Sequence, residues 1–231
     1  MLFLILTILQ STAIFVVMKL FSRFKVDNWQ AITTNYIVAT LFGLIIYKGD
    51  LSPSAIYGKE WFYFSVILGV TFISTFFIFA LSSQKVGVAL TSVASKMSVV
   101  IPVIAGLIFL HEKITLLSGI GICIALLAFY LTIGQGKNSS FPKKYIILPL
   151  VLFLGNGIND SLMKYSMHHH VDNSNDLILF LSIVFITALA IGLIINLVRY
   201  SKNKAGITLR NIIAGIILGL LNFGSTYYLS L

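Results

Sequence analysis

Charged side chains are what this sequence has least of. Asp, Glu, Lys and Arg make up 10% of its 231 residues, and only seven of them are acidic. Soluble domains carry about 25% charged residues, so a water-facing surface of any size is excluded. Cysteine occurs once, as Cys123 inside an apolar run, which rules out an intramolecular disulfide and a cysteine-based metal site. No Gly-rich phosphate loop, nucleophile elbow or His-Glu-x-x-His pattern occurs, so an enzyme reading lacks any motif and no cofactor is expected. A signal peptide would need a basic n-region and a small-x-small cleavage site. Met1-Leu-Phe-Leu has no base and Lys19-Leu-Phe-Ser-Arg-Phe is no cleavage site, so the first apolar run reads as a retained helix.

What is present in quantity is apolar surface: 58% of the residues, with a mean hydropathy of +0.99. A helix needs about 20 apolar residues to cross the hydrocarbon core, and backbone groups there must be satisfied within the segment. The pattern predicts eight spans at about 2–21, 30–47, 61–83, 88–110, 115–134, 145–167, 177–199 and 211–231. Connections are short and polar: Gly49-Asp50-Leu51-Ser52-Pro53, the stretch from Gly134 to Ser140, and Ser201 to Gly206. Trp29, Trp61, Tyr63, Tyr145 and Tyr200 stand at span ends, where amphipathic rings favour the interface. The net charge of +9 sits in these connections, near lipid headgroups, and forms no basic patch interleaved with aromatics, so nucleic acid is not a partner. The fold class expected is an all-α polytopic membrane protein.

An internal repeat is the most informative feature. Met18-Lys19 recurs as Met163-Lys164 and Val26-Asp27-Asn28 as Val171-Asp172-Asn173, both 145 residues on. Gly43-Leu-Ile-Ile46 recurs as Gly192-Leu-Ile-Ile195 at 149, and Leu68-Gly69 as Leu218-Gly219 at 150, with the small insertions expected in loops. Chance similarity among apolar helices is the competing explanation, and the repeated polar triplet argues against it. A five-helix unit puts its second copy in inverted orientation, a hallmark of secondary transporters. The domains expected are a first repeat over 1–136, a linker over 137–144 and a second repeat over 145–231 holding three helices, a 5 + 3 arrangement. Leu231 aligns with Leu81, and the first copy continues from Ser82 to Gly134, so the reading frame is expected to continue by about 53 residues, two further helices.

The stretch from Ala89-Leu-Thr-Ser-Val-Ala-Ser to Pro102, then His111-Glu112-Lys113-Ile-Thr, then Gly119-Ile-Gly121, resembles the drug/metabolite transporter superfamily, EamA branch. The resemblance implies ten helices in two inverted five-helix halves and a cytoplasmic N-terminus, and Glu112 matches the family's Glu at the turn after the fourth helix. This sequence departs from it in showing eight helices.

Ionisable groups inside spans cost about 2.5–3.5 kcal/mol at a helix centre on the insertion scale. Lys19 and Lys164 lie near span ends and can snorkel to the interface. Lys96 sits nine residues into the fourth span, about 12 Å along its axis. Thr91, Ser95, Ser98 and Pro102 share one face there, flanked by Ser92 and Lys96. This face reads either as a packing seam with a proline kink or as a polar cavity wall with Pro102 as hinge. Pro102 has no N–H, so the Ser98 carbonyl is expected to lack its helical donor. In the sixth span Asn156, Asp160 and Lys164 follow at i, i+4 and i+8, beside Asn159, Gly155 and Gly157. Asp160 and Lys164 can pair along the helix, or Asp160 can serve as a substrate or proton-coupling group. Thr71, Ser74, Thr75 and Asn222, Ser225, Thr226 form matching stripes in spans three and eight. Glu112 reads as a structural charge at a turn. The run His168-His169-His170 points apart along a helix, so no metal site is expected.

The substrate-binding set expected is Lys96, Asn156, Asn159, Asp160, Thr91, Ser95, Ser98 and Asn222, with the cavity lined by spans one, three, four, six and eight. The function expected is a secondary transporter, an exporter or exchanger, of a small metabolite or drug-like solute by alternating access. The alternative is a non-transporting membrane binding or assembly subunit, with a membrane enzyme as a weaker rival. Partners are the lipid bilayer, a small-molecule solute and protons or another coupling ion, with room for a homodimer. A bacterial inner membrane is the expected location. Odd-numbered connections carry ten Lys/Arg and even-numbered ones three, which places the N-terminus outside, against the orientation the resemblance implies.

Overall fold

The computed structural model describes residues 2–113, 115–136, 143–171, 173–203 and 206–230. Asp172 of the repeated triplet, Lys204, most of the expected linker and Leu231 lie outside them. Among the described residues there are ten α-helices and no strand: α1 Leu2–Arg23, α2 Asn28–Ile46, α3 Pro53–Tyr57, α4 Phe62–Lys85, α5 Val88–Met97, α6 Val100–Phe109, α7 Leu116–Gly136, α8 Ile147–His169, α9 Ser174–Asn203 and α10 Leu209–Ser230. Among the described residues seven segments are long and apolar enough to cross a membrane, with α5 and α6 together forming one of them; α7 carries a shorter apolar stretch, Leu116–Thr132. Many leucines and isoleucines stand exposed, such as Ile45, Leu116 and Leu197, as a lipid-facing surface requires.

Local chemistry sets the helix ends. Asp27 caps α2, its carboxylate accepting from Gln30 N at 3.1 Å. Asn173 does the same for α9 through Asp176 N at 2.9 Å. The connection read as plain punctuation around Pro53 contains α3: Ser52 caps it and Pro53 takes the first turn, where a missing N–H is harmless. α1 closes with Val26 N donating to Phe21 O while Lys25 adopts a left-handed φ of 52°, a Schellman stop normally given to glycine. That stop delivers Asp27 directly to the start of α2. Trp61, expected at the interface, is instead fully buried and meets Phe180 edge-on at 5.7 Å.

The chain divides into two compact units, and each draws on both expected repeats. The first comprises residues 1–77 and 170–231; the second comprises Ile78–His169. In the first unit α2 and α9 run antiparallel. Without a hydrophobic drive in lipid, helices associate where small residues let backbones approach. Gly43 of α2 lies against Ser182 of α9, and Gly192 of α9 lies against Thr33 of α2. These two contacts interchange when 149 is added to one member and subtracted from the other. A second set follows a closely similar rule, with 150 relating the two glycines and 149 their neighbours: a Cβ on Gly69 would meet Val184 O at 2.7 Å and Thr187, and one on Gly219 would meet Asn35 O at 2.8 Å and Val38. Tyr36 and Phe185, also 149 apart, touch each other with ring centroids 6.1 Å apart.

On the expected repeat, the offset changes from 145 at the capping triplets to 149 by Thr33 and Ser182, and both stretches are helical there. In that alignment the four-residue difference falls in the first turns of α9. About one turn of helix is the insertion a packed face tolerates best.

Charge gathers at the two ends of the first unit. At one end Arg199 donates to both oxygens of Asp27, at 2.8 and 2.6 Å. At the other Lys59 donates to Asp176 at 2.8 Å. Asp176 and Arg199 lie on α9 about 35 Å apart, close to the bilayer's hydrocarbon thickness of about 30 Å.

Candidate functional site

The second unit holds seven of the eight expected substrate-binding residues. α8 lies against both α5 and α6, and the approach is close because Gly157 leaves its place to Ile101. Asn156 Nδ2 of α8 donates to Ser95 Oγ of α5 at 2.7 Å, a half-buried bridge between two residues of the expected set. Lys96, the residue after Ser95, and Asp160, one turn after Asn156, are near enough for their charges to interact, and both are exposed. Asn159 is buried.

The span carrying Lys96 is discontinuous. α5 ends at Met97 and α6 starts at Val100. The Ser98 carbonyl does not go without a donor: Ile101 N supplies one at 2.9 Å in a tighter i to i+3 turn. Ser98 Oγ in turn donates to Ser95 O at 2.6 Å, satisfying a carbonyl at the end of α5. Pro102 is buried inside α6, and the interruption lies before it at Ser98–Val99. Lys96 stands in the last turn of α5, where the partial negative charge of a helix C-terminus favours a cation. This gives a physical reason for an ammonium within a membrane span.

The remaining members of the set go elsewhere. Thr91 is buried and its hydroxyl is 2.7 Å from that of Ser82; Ser98 is buried too. Asn222 belongs to the first unit, where its amide donates to Asn35 Oδ1 at 3.1 Å in a buried pair joining α10 and α2. The stripes in α4 and α10 spend much of their polarity on their own helices: Thr71 bonds Leu68 O at 3.0 Å, Ser74 bonds Val70 O at 2.8 Å, and Ser225 bonds Asn222 O at 3.1 Å.

Lys164 does not pair along its helix with Asp160. Its ammonium lies 2.6 Å from Glu112 Oε2. The turn after α6 makes this reach possible: His111 takes a left-handed φ of 52°, and Glu112 folds back over Gly106, where a side chain would collide with both partners. Asp160 is left to the Lys96 side. In the histidine run, the His168 and His169 rings meet edge-on at 4.8 Å and His169 also contacts Tyr165, while His170 stacks on Phe64 and places Nδ1 2.9 Å from Glu60.

Sequence reasoning overlooked the polar groups of the first unit. Asn196 donates to Thr33 Oγ1 at 2.7 Å, Asn211 to Gln30 Oε1 at 2.6 Å, and Asp27 is held by Arg199. The bidentate Arg199 guanidinium holds the Asp27 carboxyl below the usual carboxylate range, against partial burial, with the Gln30 and Trp29 amides assisting. Asn35 and Asn196 are amides inside apolar runs, and that isolation was the available signal.

Comparison with known proteins bears on this arrangement. The family of EamA-like transporters matches residues 1–134. An uncharacterized protein of Haemophilus influenzae is 26% identical over 226 residues, covering 95% of this chain and 75% of that protein. No solved structure matches.

Proposed function

Since the chain belongs to the EamA-like transporter family and is a multi-pass membrane protein, we propose that it is a secondary transporter of a small polar solute. The observation that carries this reading is the set at the α5–α8 crossing. An exposed cation, an exposed carboxylate and an amide–hydroxyl bridge lie together on membrane-spanning helices, beside a break in one of them. Lipid is a poor environment for such groups, whereas a water-filled solute path serves them. Discontinuous helices at such paths are a recurring transporter device, because they free backbone groups at mid-membrane depth.

The solute binds Lys96, Ser95, Asn156 and Asp160 in this reading, and Asp160 exchanges the coupling proton. Its charge state follows how closely Lys96 approaches as the protein cycles. The cycle is alternating access in an inverted-repeat framework. The interchangeable contacts of Gly43 with Ser182 and Gly192 with Thr33 support that symmetry. The work of the protein is export or exchange across a bacterial inner membrane, with the N-terminus outside. The purified chain reconstituted in vesicles tests the reading. Uptake or release of labelled amino-acid-like and drug-like solutes should exceed that of empty vesicles and respond to an imposed pH gradient. No flux of any solute in a folded, correctly inserted preparation would favour a non-transporting binding subunit.

A further inference from the structure

The first unit carries a groove that the transport reading does not use. It lies between the C-terminal half of α1 and the N-terminal half of α10, with a cavity volume of about 480 Å³. Leu20, Phe21 and Phe24 line one side and Ile213, Ala214 and Ile217 the other. The walls are apolar throughout. Arg210 is the one charged residue among those that line it, and a side chain of this kind can lay its methylenes along an apolar wall with its charge toward water. Arg23 ends α1 and Lys25 follows it, and Asp27, two residues further on, is engaged by Arg199. The groove is thus an apolar slot with basic residues where α1 ends and α10 begins.

We propose that this groove binds one anionic phospholipid, with an acyl chain along α1 and α10 and the headgroup phosphate at Arg210. Charge complementarity selects this occupant over other lipids. A zwitterionic headgroup brings its own cation to these basic residues, and a free anion leaves the apolar slot unfilled. The volume falls in the range of about 300–1,000 Å³ that holds a drug-sized ligand, enough for a substantial part of an acyl chain. A guanidinium bonds phosphate through paired N–H donors, and basic residues near a membrane surface each favour anionic lipid by about fivefold.

Native mass spectrometry of the full chain, released from neutral detergent, tests the proposal. Phosphatidylglycerol and phosphatidylcholine with identical chains should be titrated in parallel, with inorganic phosphate as a third arm. The parent should retain one phosphatidylglycerol about fivefold more strongly than phosphatidylcholine, and inorganic phosphate should not compete. Arg210→Gln should bring the two lipids within twofold of each other. Ala214→Phe, or Ile217→Trp on the more exposed wall should Ala214→Phe not fold by circular dichroism, should weaken both lipids. Equal retention of the two lipids by the parent overturns the proposal. So does a preference unchanged in Arg210→Gln, displacement by inorganic phosphate, or full retention in the groove-filling variant.

Discussion

Replacing Asp27 by Asn isolates the ion pair with Arg199 from the capping of α2. The parent carboxylate accepts two bonds from Arg199, at 2.8 and 2.6 Å, and one from Gln30 N at 3.1 Å. Asn caps a helix about as well as Asp, so the Gln30 bond survives in Asp27→Asn, together with one bond from the guanidinium. What goes is the charge. Hydrogen bonds to charged groups contribute about 1.5–3 kcal/mol and exposed ion pairs about 0.2–1 kcal/mol. The two side chains are 33% and 28% exposed, so screening brings the expected loss to about 1 kcal/mol. Asp27→Ala also removes the cap, for a total of about 2 kcal/mol. The sign with pH follows from the lowered carboxyl. The contribution is complete above the ordinary carboxylate range and disappears as pH falls through the lower, folded-state value. The gap between parent and Asp27→Asn should therefore be constant from neutral to mildly acidic pH and close only in stronger acid. Thermal unfolding in detergent reads it through tryptophan fluorescence, since Trp29, one of the two tryptophans, lies two residues from the pair. Arg199→Gln should cost the parent about 1 kcal/mol and the Asp27→Asn background much less. Equal stability of parent and Asp27→Asn at neutral pH, or an undiminished cost of Arg199→Gln in the variant, would refute the reasoning.

Three other outcomes are expected. Asp160→Asn should lower flux in vesicles at least tenfold and abolish its pH dependence, while Lys164→Gln, whose partner is Glu112, should leave both nearly intact; parental flux and pH response in the double variant would remove Asp160 from the coupling role. Gly43→Val and Gly192→Val should each destabilise by at least 1–3 kcal/mol and by similar amounts, because each forces a methyl into the equivalent neighbour on the other helix; a large inequality in denaturation midpoints would count against their equivalence. In a Cys123→Ser background, Ser139→Cys should resist an impermeant thiol reagent in intact cells, and ready labelling would defeat the outward N-terminus.

Periodicity and local chemistry made the helices legible. The apolar runs lie within a few residues of α1, α2, α4, α8 and α9, because a bilayer-spanning run must be a helix and leaves little to tertiary context. The short α3 escaped, although Ser52-Pro53 is a start signal, because no apolar run follows it. At the candidate site, spacing along α8 put Asn156 and Asp160 on one face. It could not say that Asn156 reaches Ser95, 61 residues earlier, or that Lys164 leaves Asp160 for Glu112, 52 residues earlier. Those pairings depend on how α6 turns at His111 and how closely Gly157 lets α8 approach, which are properties of packing. Pro102 pointed to the Ser98 carbonyl, where the helix does break, but not to the donor that Ile101 N supplies there.

On the expected repeat, the extra turn at the start of α9 has a consequence for the balance between the two faces of the membrane. It moves the capping residue outward, yet it leaves a carboxylate at a matched depth: Asp176 is 149 residues beyond Asp27, the same spacing that relates the glycine contacts. Each end of the unit is therefore fastened by one carboxylate and one base, at 2.6 Å and 2.8 Å. A carrier that dwells on one side and then the other needs its two dwelling states within a few kcal/mol, since every 1.4 kcal/mol of bias multiplies one population tenfold. Under the proposed alternating access, fastenings of like chemistry at both ends would keep that bias small. On the proposed repeat and cycle, the remaining residues of the two copies could diverge without stalling the protein on one side.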